Sequence, residues 1–348
     1  MHYTANPKMM PSAITETRHP NAAYRVLGLL MACLLAALML AAFVGAASVE
    51  WQHWQWRAWQ NPEAAILWHI RLPRLCLAAI VGAGLGASGA AMQGLFRNPL
   101  ADPGLLGIAN GAALAVAISL IAIPSSWGLL GLYSISIAAF CGGLICCIVI
   151  FLFARRSGGG VAALLLAGLA INALCGAAIG FLTYLSDDQQ LRSLSFWTMG
   201  SLGGALWTQI AVCCSVLIPA LLLLTRSARQ LDVLQLGDRS AEYLGIDPRQ
   251  LQRRTVILAA LIVGSCVAVS GVIGFVGLLV PHLLRMLIGP QHRWLLPGSA
   301  LLGALLLLAA DTLARTVVAP AELPVGVITS LLGAPYFLYL LLSQGRRL

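Results

Sequence analysis

Long apolar runs separated by short polar breaks make up most of this chain. The first run, residues 26–47, is long enough to cross a bilayer, which takes about 20 apolar residues per helix. A secretory signal is the rival reading, because Val44, Gly45, Ala46 and Ala47 offer small residues near its end. Its apolar region spans only about 7–15 residues, so the longer run here predicts a retained helix. Further spans are predicted at 66–95, 105–123, 129–153, 162–185, 207–224, 254–272, 295–315 and 325–343. Between Gly271 and Arg285 the run is too short for another full span, which predicts a break and a half-length helix. The pattern gives an all-α polytopic bundle of about ten transmembrane helices.

Two polar stretches interrupt that rhythm. Residues 194–202 read as a short amphipathic piece after Asp187, Asp188 and Arg192. Residues 225–254 form the largest polar segment beyond the N-terminal tail. There Gly237 and Gly245 bracket a short helix with Asp238 as its expected N-cap. Asp247-Pro248 reads as cap and first-turn proline for a helix leading into the next span. A capped, glycine-bracketed segment of this kind is expected to dock a partner rather than serve as a solvated linker. The expected division is therefore a cytoplasmic tail at 1–24 and one membrane domain at 25–348, with the docking segment at 225–254.

Composition makes the membrane reading firm. The 348 residues are 59% hydrophobic and 9% charged, against about 25% charged in soluble domains. The charges also orient the bundle. With both termini in the cytoplasm, sixteen of the 21 basic residues fall in cytoplasmic segments. Only Arg57, Arg71, Arg74, Arg192 and Arg315 stay outside, as the positive-inside rule asks. Trp51, Trp54, Trp56 and Trp59 predict an interfacial belt, with a stacking platform for a flat ligand as the alternative. No basic patch interleaved with aromatics points to nucleic acid.

Catalysis is not indicated. The nine cysteines lie in or beside apolar runs without a C-x-x-C pair, as small hydrophobes do, and no metal site is expected. The single lysine, Lys8, lies in the polar tail, so the chain has no G-x-x-x-x-G-K-[ST] phosphate loop, and any ATP must be bound by another chain. Asp311 and Arg315 are one helical turn apart and are expected to pair. No series of mid-membrane carboxylates is evident, which disfavours a stand-alone secondary transporter. His282 and His292 flank Arg285 and are candidate haem contacts, since neutral imidazole ligates iron; a structural role or a partner contact is the alternative.

Four blocks carry a family resemblance: 71–111 (RLPRLCLAAIVGAGLGASGAAMQGLFRNPLADPGLLGIANG), LLLAGLAINAL with FWTMGSL, LGDRSAEYLGID, and GFVGLLVPHLLR through ADTLAR to ELPVGVITSLLGAPYF. Together they resemble the permease subunits of bacterial ABC importers for iron-siderophores, haem and vitamin B12, and among these most closely the haemin-uptake permeases. The resemblance implies the type II ABC importer permease fold in the bacterial inner membrane. It implies a homodimer with ten helices per subunit, two cytoplasmic ATPase subunits and a periplasmic substrate-binding protein. It also implies that ATP is used by the partner and that haem is cargo rather than a resident cofactor, with ferric siderophore or cobalamin as alternatives. By position, Arg71, Arg74 and Arg315 would receive acidic residues of the binding protein. Gly237, Asp238, Glu242, Tyr243, Leu244 and Gly245 would couple to the ATPase. Asn172 would line the pathway, and Gly158, Gly159 and Gly160 would lie at its cytoplasmic constriction.

Overall fold

The computed structural model describes residues 20–43, 65–122, 129–158, 160–319 and 321–345. Among the described residues there are thirteen α-helices and no strand. Seven helices are long and apolar enough to cross a membrane, and three shorter apolar ones (Ile108–Ala122, Val276–Ile288 and Val325–Leu340) bring the apolar set to ten. The tryptophan belt and most of the N-terminal tail lie outside the described residues, as does Gly159.

The helices are α1 (Pro20–Phe43), α2 (Leu72–Phe96), α3 (Ile108–Ala122), α4 (Leu129–Arg156), α5 (Val161–Leu185), α6 (Asp188–Thr198), α7 (Trp207–Arg226), α8 (Ala228–Leu234), α9 (Asp238–Tyr243), α10 (Pro248–Ser270), α11 (Val276–Ile288), α12 (His292–Thr316) and α13 (Val325–Gly345). The break after Gly271 and the 13-residue α11 match the half-length helix expected there. The amphipathic piece starts earlier than its apolar pattern implies. Asp187 and Gln190 form a reciprocal capping box that sets the start of α6.

The centre of the bundle is α2, buried on nearly every side. Its small residues are the cause. A Cβ placed on Gly82 would lie 2.3 Å from the Gly303 carbonyl oxygen, and one on Gly86 would lie 2.2 Å from that of Ser299. Two helices meeting through such a small-xxx-small stripe approach until backbones touch, and dispersion then acts along the whole contact. Helix α12 therefore runs antiparallel to α2 along most of its length. A similar contact with α11 occurs at Gly89, whose added Cβ would sit 1.9 Å from the Gly277 oxygen. Ahead of α2, residues Leu67–Arg71 form a π turn. Pro73 has no N–H to give the carbonyl four residues back, and the turn widens there.

Helices α1 and α5 present the opposite picture, with large apolar side chains such as Leu29, Leu40, Leu166, Leu169 and Phe181 exposed along them. Those faces suit lipid or a second subunit.

Candidate functional site

Two polar clusters occupy opposite ends of the α2–α12 pair. At the N-terminal end of α2, Arg74 reaches α12, where its Nε lies 3.0 and 3.1 Å from the two Asp311 oxygens. Its Nη2 donates to the same carboxylate at 2.9 Å. The remaining nitrogen, Nη1, donates to Glu322 at 2.8 and 2.9 Å. Arg315 approaches Asp311 from one turn further along α12, Nε to Oδ2 3.4 Å. Arg71 donates from Nη1 to the Ala42 carbonyl at 2.9 Å, tying the π turn to the end of α1. The chain thus brings together the three arginines singled out in the sequence, and the i,i+4 pairing of Asp311 with Arg315 is present.

Their exposure is less expected for residues meant to meet a partner. Arg71, Arg74 and Arg315 are 4%, 7% and 5% exposed, and Asp311 is fully buried. Only Glu322 opens to solvent, its side chain 47% exposed. Arg74 and Arg315 share Asp311, and Arg74 also holds Glu322. Sequence reading missed Glu322 as the second anchor of Arg74, because 248 residues separate them.

At the other end of α2 the segment 225–254 folds back on the helix ends. Gly237 and Gly245 bracket α9 as expected, with φ of +105° and +78°, backbone that side-chain-bearing residues rarely adopt. The cap differs from expectation: Gly237 takes the N-cap position, and the Asp238 carboxylate pairs with Arg97 instead. Asp247 does cap α10, accepting from the amides of Arg249 and Gln250. Tyr243 is 90% exposed, and Leu236 and Leu244 are exposed beside it. These side chains make an exposed apolar tip on a braced helix.

The bracing comes from residues that sequence reading did not select. Gln235 Nε2 donates to the Gly94 carbonyl at 2.6 Å, satisfying an end group of α2. Asp232 Oδ1 accepts from both the backbone N–H and Nδ1 of His292, each at 2.7 Å, so it caps the start of α12 from outside that helix. His292 is only 2% exposed. His282 lies elsewhere, against Tyr336 and Phe337 of α13, with ring centroids 6.0 and 6.2 Å away. The two histidines do not converge.

Between the ends, Asn172 on α5 accepts from Asn110 Nδ2 at 2.9 Å and donates to the Gly104 carbonyl at 3.4 Å. Gly158 and Gly160, both with positive φ, line a cavity of about 520 Å³ with Arg155, Arg249 and Arg253.

A bundle of spanning helices with a charged cluster at one end and a capped polar segment at the other is the architecture of an integral membrane permease. The chain belongs to the FecCD transport family, whose profile matches residues 32–343. It is 58% identical to the hemin transport system permease protein HmuU of Yersinia pestis, over 80% of this chain and 84% of that protein. It is 43% identical to the vitamin B12 import system permease protein BtuC of Vibrio cholerae, over 81% and 84% of the two chains. In structure it is similar to a metal-chelate type ABC transporter solved in an inward-facing conformation, with a TM-score of 0.82 and 31% identity. The match covers 92% of this chain and 99% of the other.

Proposed function

We propose that this chain is the membrane-spanning subunit of an ATP-driven haem importer, carrying haem from the periplasm across the bacterial inner membrane to the cytoplasm. The observation that carries the choice of cargo is the 58% identity to a hemin permease, against 43% to a vitamin B12 permease over a similar length. Ferric siderophore and cobalamin are the alternative cargoes. The chain works as a homodimer, with two ATPase subunits below it and a substrate-binding protein above. Both of its termini face the cytoplasm.

In this reading the Arg71, Arg74 and Arg315 cluster faces the periplasm and receives acidic residues of the binding protein. Glu322 then holds the Arg74 guanidinium where an incoming carboxylate would bind, and docking exchanges one carboxylate for the other. The tip formed by Gly237, Asp238, Glu242, Tyr243, Leu244 and Gly245 inserts into the ATPase. Because Gln235 and Asp232 tie the segment to the ends of α2 and α12, its movement displaces that helix pair as a unit. Asn172 faces the pathway, and Gly158 and Gly160 form its cytoplasmic mouth. We assign His292 to holding α12 rather than to haem, since its ring is enclosed and engaged with Asp232.

The test is reconstitution of the permease in liposomes with its ATPase and binding protein, measuring ATP hydrolysis and cargo uptake. Stimulation by haem-loaded binding protein supports the assignment. Stimulation by cobalamin or ferric siderophore alone keeps the importer and overturns the cargo, and no assembly with an importer ATPase overturns the importer.

A further inference from the structure

The cavity of about 520 Å³ beside Gly158 and Gly160 lies between the end of α4, the start of α5 and the first turns of α10. Part of its wall is apolar, from Phe151, Ala154 and Leu164. The lining also holds Arg155 of α4 and Arg249 and Arg253 of α10. None of these three guanidiniums makes a hydrogen bond or ion pair among the described residues. Asp247 is the one carboxylate of the lining. Its Oδ1 is taken by the amides of Arg249 and Gln250, at 2.9 and 3.3 Å.

Two of these arginines work against the helix that carries them. Arg249 sits in the first turn of α10, where the helix dipole favours a negative group. Arg253 follows one turn later, and like charges four residues apart repel. A cytoplasmic excess of positive charge does not require this placement. Arg156 and Arg254 supply that excess from neighbouring exposed positions, and neither lines the cavity. An anion held in the cavity would offset both penalties on α10. A second cavity, of about 210 Å³, shares Gly158, Gly160, Arg249 and Gln252 with the first and extends to Arg97 and Asp238. Arg249 therefore lines both, and a movement of the segment assigned to the ATPase reaches the basic wall through it.

We propose that Arg155, Arg249 and Arg253 form an exit station for the cargo and pair with the propionate carboxylates of haem. This inference rests on the haem-importer reading above. Haem is a flat apolar ring with both of its carboxylates on one edge, so it matches a wall that is apolar in one part and guanidinium in another. Cobalamin carries amides where haem carries propionates, and gives these arginines much less to bind. A lipid headgroup also offers an anion. The position of the cavity beside the two glycines at the cytoplasmic mouth favours the cargo.

The test labels the arginines of the unmodified full-length chain with hydroxyphenylglyoxal, in phosphatidylcholine nanodiscs without ATPase, and reads each site by mass spectrometry. Hemin should protect Arg155, Arg249 and Arg253 and leave Arg156 and Arg254 labelled. Hemin dimethyl ester, which has no free carboxylate, should need about ten-fold more for the same protection, the factor one lost charged hydrogen bond implies. Equal protection by the ester, or equal protection of the two reference arginines, overturns the proposal whether or not any variant folds. Protection by added phosphatidylglycerol but not by hemin overturns it in favour of a lipid headgroup. A second arm uses liposomes with the ATPase and the haem-loaded binding protein. The chain combining Arg155→Gln, Arg249→Gln and Arg253→Gln should keep its stimulated ATP hydrolysis and lose about ten-fold in haem delivered per ATP. Lysine at the same three positions should restore part of the delivery, and Arg156→Gln with Arg254→Gln should match the unmodified chain. Hydrolysis lost together with delivery, in a glutamine variant of normal folded yield, assigns the arginines to the ATPase and overturns the exit station. Delivery unchanged in that variant overturns this inference alone. No haem delivery by the unmodified chain overturns the haem reading and this inference with it.

Discussion

Arg74 bonds two carboxylates, and burial decides which one the fold depends on. Asp311 is fully enclosed and takes three hydrogen bonds from the guanidinium, whereas the Glu322 side chain is 47% exposed and takes two. Truncating Asp311 to Ala leaves Arg74 and Arg315 facing each other without their shared anion in a space water does not reach. Breaking a buried ion pair from one side costs about 3–5 kcal/mol, because the surviving charge stays desolvated. At 1.36 kcal/mol per factor of ten, the folding equilibrium should fall by roughly two to nearly four powers of ten. Truncating Glu322 leaves Arg74 held by Asp311 and opens its Nη1 to water, so the cost is about 1 kcal/mol or less. Equilibrium unfolding of the full chain in mixed micelles of mild detergent and dodecyl sulfate, followed by tryptophan fluorescence, separates these outcomes. A double-mutant cycle should give a larger coupling for Arg74 with Asp311 than with Glu322. Equal losses in Asp311→Ala and Glu322→Ala, or an Asp311→Ala cost under about 1 kcal/mol, would refute the assignment of burial as the deciding factor.

Three further outcomes follow from the same geometry. Glu322→Gln removes the internal competitor for Arg74 and should tighten equilibrium docking of the binding protein by about five-fold, a net gain of about 1 kcal/mol, read by surface plasmon resonance; unchanged or weaker docking counts against carboxylate exchange. Gly82→Leu would force side-chain atoms into the Gly303 backbone and should cost at least about 1–3 kcal/mol, cutting folded yield on size exclusion. Gly28→Leu, on an open face of α1 with nothing within 4 Å, should leave it unchanged. Asp102, in the loop after α2, has its carboxyl pushed above the usual range by burial, with the Gly104 amide pulling the other way. Its ionised form therefore carries a penalty that appears as pH rises through the folded pKa and vanishes below the unfolded one. The stability of Asp102→Asn relative to wild type should grow with rising pH across that window in thermal unfolding scans.

The helices were legible because a bilayer asks for one simple thing, a run of apolar residues of sufficient length. That test finds α4, α5, α7 and α12 within a few residues of where they form. It misplaces the ends, which capping sets. Helix α10 begins at Pro248, where the Asp247-Pro248 cap signal put it, six residues ahead of the apolar run at 254 that hydropathy alone detects. Helix α6 begins at Asp188 for the same kind of reason, its capping box lying upstream of the apolar pattern. Gly82, Gly84, Gly86, Ser88 and Gly89 give α2 small residues that permit close packing against other helices. They could not name Gly303 and Ser299 as the places where it does, since partner choice between helices is not written in either helix alone.

The polar clusters were legible only as far as local spacing reaches. Asp311 and Arg315 are four residues apart on one helix, so their pairing could be read directly. Arg74 joins them from 237 residues away, and no periodicity links it to Asp311. The same limit explains His292. Read along the chain, it is a histidine near a helix end and a candidate metal ligand. Its partner Asp232 comes from a segment 60 residues earlier, redirected by the break at Ser227 between α7 and α8. The pairing follows from what each group needs. The first amide of α12 has no acceptor within its own helix, and a carboxylate placed there also takes the imidazole Nδ1 hydrogen. Asp238 shows the converse. Its sequence position fits an N-cap, but Gly237 already supplies the turn, and the carboxylate does better against the Arg97 guanidinium at the end of α2. In each case the local signal correctly marked a polar residue with a task at a helix end. The identity of the task was fixed by which other unsatisfied group the packing of α2 against α12 brought within reach.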